Sequence, residues 1–381
     1  MALRSGDVRW ALRSTPAWLR LPAAVAPVLI LAGVAPAAAN PPQSAAPLSF
    51  EDMEKCEQTR RWTEESYRAC REALEANPIV GISGGRTLAE SEFHFYGPWQ
   101  AEIRSTYRYT KADIAADRKL RPGDPHKYFL DRKAEWERQH RCGGVYIGDG
   151  WVLTAAHCLT VRDAATGAIT LLPDLLTARA VRLGAWDLSK PGPSYPIHAA
   201  IIHKGYFTNQ DRDDIALLKV RTDQPDERIG ASPAQLPGDP HPPVIADDDV
   251  YVSGWGATAP TQGGQMLRAL NGSPLRAAAQ LKMVWLKVRP NARCDAVDSL
   301  HGTMSDAVVC AGSDKAGDDA CTWDSGGPLV RSWDKTLVGI VSRGKGCGLK
   351  NTPGVYTKVA PYLGWIERAK KAPMGQVTML P

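Results

Sequence analysis

Between about residues 100 and 360 the chain is broken into short runs of β-branched, aliphatic and aromatic residues, such as Trp151-Val152-Leu153-Thr154 and Ile215 to Val220, separated by Gly, Pro, Asn and Asp. Runs of this kind between turn formers read as strands, and a long series of them suits antiparallel sheets closed into barrels. The expected class is therefore all-β, and no internal repeat divides it.

At 381 residues the chain has room for two domain-sized units and a large core. Lys and Arg outnumber Asp and Glu by 46 to 41, a mild basic excess that favours solubility and gives no argument for nucleic acid. The N-terminus carries Arg4, Arg9, Arg13 and Arg20, then an apolar run from Leu21 to Val34, then Ala37-Ala38-Ala39 before Asn40. A positive region, an apolar region and a small-residue cleavage site read as a signal peptide over residues 1–39. Pro22 and Pro27 interrupt the apolar run, which is short for a membrane span, so no stable span is expected once it is removed. An uncleaved inner-membrane anchor is the alternative. The bias towards Ala, Pro and Arg reads as bacterial, which would make the compartment periplasmic or extracellular. Eight Cys in an exported chain point to disulfides rather than to zinc or redox motifs, and no metal or cofactor is expected.

Ser325 stands in the stretch Asp318-Asp319-Ala320-Cys321-Thr322-Trp323-Asp324-Ser325-Gly326-Gly327-Pro328-Leu329. A serine hydroxyl becomes a useful nucleophile only with a base in reach and donors awaiting the oxyanion. Gly326 and Gly327 allow a tight turn and close approach to a substrate. By itself such a turn is a weak signal. Upstream, however, Thr154-Ala155-Ala156-His157-Cys158 ends an apolar strand in a His, and Asp214-Ile215-Ala216-Leu217-Leu218 opens a buried strand with an Asp.

With these three motifs in the order His, Asp, Ser, the chain resembles the chymotrypsin/trypsin family of serine proteases. Val181 to Gly184, Val252 to Gly256 and Pro353 to Val359 extend the resemblance, which covers about residues 79–370. It implies two antiparallel six-stranded β-barrels with a C-terminal helix over Val359 to Lys370. It implies that His157 takes the Ser325 proton, that Asp214 rather than Asp213 orients the imidazole, and that Ser342 lies beside that Asp. It also implies disulfides Cys142–Cys158, Cys294–Cys310 and Cys321–Cys347. Asp319, six residues before Ser325, falls where trypsins hold the carboxylate of the primary pocket, with Gly344 and Gly354 as its walls. Cleavage after Arg or Lys is the expectation, since such a carboxylate attracts a guanidinium or ammonium through charge-assisted bonds. The oxyanion donors would be the N–H groups of Trp323 and Ser325. Trp323 departs from the family's Gly, at a position whose usual conformation suits a residue without Cβ. Arg343 replaces an aromatic, which predicts more basic outer subsites.

Residues 40–48 read as a Pro/Ala linker. Beyond them Ser49 and Thr63 are helix N-caps, with apolar residues at helical spacing after each, so 40–78 is expected to be a short helical propeptide-like segment. A helical hairpin turning near Thr63 with a Cys56–Cys70 bridge is expected, since each Cys is seven residues from the turn. On one straight helix they would stand ~21 Å apart, out of bridging range; that single charged helix with two thiols is the alternative. Ile79-Val80-Gly81 resembles the family's mature N-terminus, whose freed amine would pair with Asp324. Pro78 before it and Ile82 in place of the second Gly depart from the pattern, and Thr87 is the alternative start. His140 resembles the His that holds this Asp in family zymogens.

The resulting domains are 1–39, 40–78, a protease domain over 79–371 and a tail over 372–381. An insertion from Arg104 to His140 mixes Arg and Lys with Tyr107, Tyr109, Tyr128 and Trp136, with a short helix expected over 127–139. It reads as a solvated surface insertion beside the cleft, with a protein partner at 104–140 as the alternative and no nucleic acid expected. A second insertion spans Thr160 to Ala180. The expected function is a secreted, zymogen-activated endopeptidase acting on protein or peptide substrates. The alternative is a weakly active or inactive protease-fold binding protein.

Overall fold

The computed structural model describes residues 82, 84–121, 127–163, 166–209, 212–222, 226–238, 242–259 and 275–381. The signal peptide, the helical segment with Cys56 and Cys70, and Ile79 lie outside them.

Sixteen strands run along the described residues. They begin with β1 (Arg86–Thr87), β2 (Gln100–Ser105), β3 (His140–Tyr146), β4 (Trp151–Thr154), β5 (Thr160–Arg162), β6 (Ile169–Leu171), β7 (Arg179–Leu183), β8 (Tyr195–His203) and β9 (Ala216–Val220). After a crossover over residues 221–248 come β10 (Asp249–Gly254), β11 (Lys282–Arg289), β12 (Val308–Gly312), β13 (Pro328–Arg331), β14 (Leu337–Arg343), β15 (Gly354–Lys358) and β16 (Val377–Leu380).

The first barrel follows the order β8-β7-β2-β3-β4-β9 and closes through β8–β9; the second follows β11-β10-β13-β14-β15-β12 and closes through β11–β12. Both are six-stranded and antiparallel, as the resemblance implied. Closure leaves no unpaired edge within either ring. Each barrel takes one added strand: β1 lies on β11, and β16 runs parallel to β8. The expected tail at 372–381 is therefore part of the sheet, tied by Trp365 Nε1 donating to the Leu380 carbonyl at 3.1 Å.

Inward residues fill the rings, among them Ile103, Val145, Leu153 and Leu217 in the first and Val250, Leu286, Val309 and Leu329 in the second. Each such side chain contributes ~1.5–3 kcal/mol on burial, so the barrels hold the loops between them in fixed positions. The C-terminal helix is Leu363–Ala369, entered through a 3₁₀ turn at Ala360–Tyr362. The helix expected over 127–139 is broken into a 3₁₀ turn at Leu130–Arg132 and a helix at Glu135–Gln139, and a further helix, Lys111–Lys119, precedes them. Thr110 caps that helix through its side chain, a signal present in the sequence and passed over.

Candidate active site

His157 sits in a 3₁₀ turn, Ala156–Leu159, just after β4, and Asp214 lies two residues before the start of β9. The paired strands β4 and β9 therefore deliver both to one rim of the first barrel. Asp214 is almost fully buried and its carboxylate is fully engaged. Oδ1 accepts the His157 main-chain N–H at 3.0 Å, while Oδ2 lies 2.8 Å from His157 Nδ1 and accepts the Ser342 hydroxyl at 2.6 Å. Burial works against the Asp214 charge, but His157 and Ser342 outweigh it and hold the carboxyl below its usual range. Burial likewise works against a charged His157, and Asp214 overcomes it, so the imidazole is raised above its ordinary value. Asp213 is engaged elsewhere: its Oδ1 accepts the Tyr362 hydroxyl at 2.7 Å.

Ser325 comes from the second barrel, in the turns before β13. Gly143 of β3 donates its N–H to the Ser325 carbonyl at 2.8 Å, and the Cys158 sulfur, next in the chain to His157, lies 3.6 Å from that oxygen. Gly326 has φ +80°, and a Cβ there would collide with Thr154 and with the Gly143 carbonyl, so glycine is what lets the serine loop seat against the histidine strand. The structure pairs Cys142 with Cys158, Cys294 with Cys310 and Cys321 with Cys347. Among the described residues one grouping, Cys142, His157 and Cys158, is close enough for a metal ion, but its sulfurs are bonded to each other and offer no thiolate.

Two carboxyls lie behind the serine loop. Asp319 is 6% exposed, accepts the Gly348 N–H at 3.2 Å, and is pushed up to about 8, chiefly by burial. A Cβ built on Gly354 would stand 3.6 Å from Asp319 Oδ1, and one on Gly344 would stand 3.8 Å from Gly354 Cα, so the three lie side by side. Asp324 is buried and accepts the N–H groups of Gly256 and Cys321 at 2.7 and 2.9 Å; burial still raises it to about 6. Gly254 and Gly256 leave room for that carboxylate, since a side chain at either would strike it. His140 Nδ1 lies 3.3 Å from Glu102 Oε1, and its charge also favours the Asp324 carboxylate.

Sequence reasoning passed over Ile82-Ser83-Gly84-Gly85, in which glycines follow the isoleucine at both the second and third places, where a start at Ile79 has only the first of them. Ile82 is fully buried in the core of the second barrel, and a Cβ on Gly84 would collide with Asp318. The paired glycines were the available signal.

Cys321 to Asp324 form a turn closed by the Asp324 N–H on the Cys321 carbonyl at 3.0 Å, and Trp323 occupies its third position with φ +77°. That position ordinarily takes glycine. A left-handed tryptophan costs on the order of 1–3 kcal/mol. Opposing this cost, Lys133 of the insertion sets its Nζ 4.6 Å from the centre of the indole. A desolvated contact of that kind is worth up to about 2 kcal/mol, comparable to the strain. Among the described residues the main-chain N–H groups of Trp323 and Ser325 donate to no protein acceptor.

The insertion packs onto its own molecule. Glu137 takes Arg276 Nε at 2.9 Å and the Ala277 N–H at 3.0 Å, Asp117 takes the N–H groups of Tyr128 and Leu130, and Arg138 donates to the Leu130 carbonyl. Arg343 donates to the Thr303 carbonyl at 3.1 Å.

The family model described as Trypsin matches residues 118–366, well over half of the chain. The chain belongs to the trypsin family of serine proteases. It is 34% identical over 300 residues to tissue-type plasminogen activator of Homo sapiens, covering 76% of this chain and 47% of that protein. The same protein of Rattus norvegicus is 34% identical over 249 residues, covering 63% and 41%. The chain thus spans under half the length of these curated relatives. Among solved structures it is similar to neuropsin, a serine protease expressed in the limbic system of mouse brain. That match has TM-score 0.51 and 27% identity and covers 75% of this chain and 98% of that one. These trypsin-family relatives are mammalian and lend no support to the bacterial reading of the composition. Among the described residues no helix is long and apolar enough to cross a membrane.

Proposed function

We propose that the chain is a secreted serine endopeptidase that hydrolyses peptide bonds after Arg or Lys. The observation that carries this reading is the Asp214–His157 contact docked, through Gly143 and Cys158, against the main chain of Ser325. In the reaction His157 takes the Ser325 proton as the hydroxyl attacks the substrate carbonyl, and a tetrahedral oxyanion forms in front of the free N–H groups of Trp323 and Ser325. His157 then gives its proton to the leaving amine and an acyl ester remains on Ser325. Water, deprotonated by His157, attacks that ester and restores the hydroxyl. Asp214 keeps the proton on Nδ1 and stabilises the imidazolium, which fits the raised His157 and lowered Asp214 values. Asp319 receives the Arg or Lys side chain; a cation there would meet the charge that burial now disfavours. Three disulfides suit an oxidising compartment.

The chain is read as a precursor activated by cleavage before Ile82, whose amine would then pair with buried Asp324. N-terminal sequencing of the active form should begin at Ile82; a start at Ile79 or Thr87 refutes this site. Labelling with a radioactive phosphonofluoridate should place one adduct on Ser325, and Asp214→Asn should lower kcat by on the order of 10⁴, the loss expected when such a triad carboxylate becomes an amide. An unlabelled, fully processed chain would favour a protease-fold binding protein instead.

A further inference from the structure

We propose that Lys133, carried by the insertion, is a positioning residue for catalysis: its ammonium, seated on the Trp323 indole, holds Trp323 in the left-handed turn that keeps its main-chain N–H facing the oxyanion. The inference rests on the reading of Trp323 as an oxyanion donor.

Three independent features converge on this contact. Trp323 has φ +77° at a position where glycine is the ordinary residue, so the conformation needs support from outside the turn. Its indole is half-buried, packed on one side by the cluster of Ala257, Leu275, Cys321 and Cys347, and Lys133 Nζ stands 4.6 Å from the ring centre. Lys133 itself is 9% exposed, unusual for a lysine without a structural task. Its segment is fixed at both ends: the Leu130 turn hangs on Asp117, and Glu137 clamps Arg276 and the Ala277 N–H on the loop that packs beside the indole. A family member with glycine at this position would need no such prop, and one with tryptophan but no insertion would lack it.

The charge on Lys133 is finely balanced. Burial lowers it to about 8, Glu137 and Asp117 support the ammonium, and Arg141 on β3 and Arg276 on the neighbouring loop oppose it. Deprotonation removes the cation from the ring, and the turn then loses its support as pH rises through about 8. An Arg at the same place would stay charged and stack on the ring.

The test is steady-state hydrolysis of an Arg-ester and an Arg-containing peptide by the processed wild type and by Lys133→Met, Lys133→Arg, Trp323→Gly and the Lys133→Met/Trp323→Gly double variant. Lys133→Met should lower kcat about tenfold with KM within about twofold. Lys133→Arg should restore kcat, and the ratio of its kcat to that of wild type should climb between pH 7 and 10. In the Trp323→Gly background the methionine should change nothing further. A Lys133→Met enzyme with wild-type kcat, or an equal loss in both backgrounds, overturns the proposal. Should Lys133→Met fail to fold, a flat Lys133→Arg to wild-type ratio across that pH range overturns it as well. Phosphonofluoridate labelling of the wild type separates the two levels: an unlabelled chain sinks the serine-protease reading, whereas a labelled chain with an indifferent Lys133 sinks this proposal alone.

Discussion

At the scale of single residues, Asp319 and Trp323 carry the chemistry that distinguishes this chain. Asp319 is buried with its carboxyl raised to about 8, far above its value in an unfolded chain. A raised carboxyl means that the folded state holds a proton the unfolded state has released, so stability falls as pH climbs from about 4 to about 8 and stays low above that. Asp319→Asn removes the charge and should raise Tm at pH 8.5, with no gain at pH 3, as calorimetry would register. The same variant should lose its preference for Arg and Lys substrates. A Tm gain equal at both pH values would mean that the burial of this carboxyl is not what costs stability. The offset of six residues between Asp319 and Ser325 made the position legible in the sequence, because a short loop fixes where a side chain can go. Its titration was not legible, since that depends on desolvation by residues far away in the chain. The left-handed Trp323 was half-legible. The substitution of glycine by tryptophan raised the question of backbone conformation, but the lysine that answers it lies 190 residues upstream, and no local pattern links the two.

Among the elements, the barrels followed from the sequence and the insertion did not. Alternating apolar runs and turn residues specify strands, and closure follows from the need to pair edges. The insertion carries no comparable period, and its charges suggested a solvated surface. In the structure Lys127, Lys133 and Glu137 are buried within it, and its acids cap main-chain N–H groups. A charge run reads as solvated only until its counter-charges are placed, and Arg276 lies far along the chain, in the loop between β10 and β11. The start proposed at Ile82 was passed over for a different reason: the apolar pair Ile79-Val80 drew attention from the glycine pair Gly84-Gly85. The Glu137 clamp yields a direct expectation. Glu137→Ala leaves the partly buried Ala277 N–H without its acceptor and frees Arg276, whose side chain is half exposed and so contributes less. The cost should be about 1–3 kcal/mol in chemical denaturation, accompanied by faster proteolytic nicking within residues 106–139. Unchanged stability would show that the insertion is not anchored through this residue.

For the molecule as a whole, the titrations of the site pull stability and activity towards different pH. Asp319 and Asp324 are raised to about 8 and about 6, so both contribute stability losses as pH increases above about 4. His157 is raised as well, and the stability it gains from Asp214 is present below its unfolded value and lost as pH rises through its folded one. Asp214 acts in the opposite sense: its depressed value gives stability above about 4 that disappears in stronger acid. The unliganded enzyme should therefore be most stable in mild acid, near pH 4–5, where His157 is charged and Asp319 neutral and catalysis is off. On the proposed specificity, activity needs a neutral imidazole and an ionised pocket, and the pocket carboxyl ionises only as pH rises through about 8. On the same proposed specificity, a guanidinium ligand should change the balance, because it would bind the ionised form of Asp319 and supply the missing counter-charge. Titrating the processed enzyme with a small aryl guanidine at fixed excess should give a Tm shift that is slight at pH 5 and grows through pH 8, and Asp319→Asn should abolish the shift at every pH. A shift of the same size at pH 5 and pH 8.5 would mean that the pocket carboxyl is already ionised in acid, and with it the separation of stable and active pH would vanish.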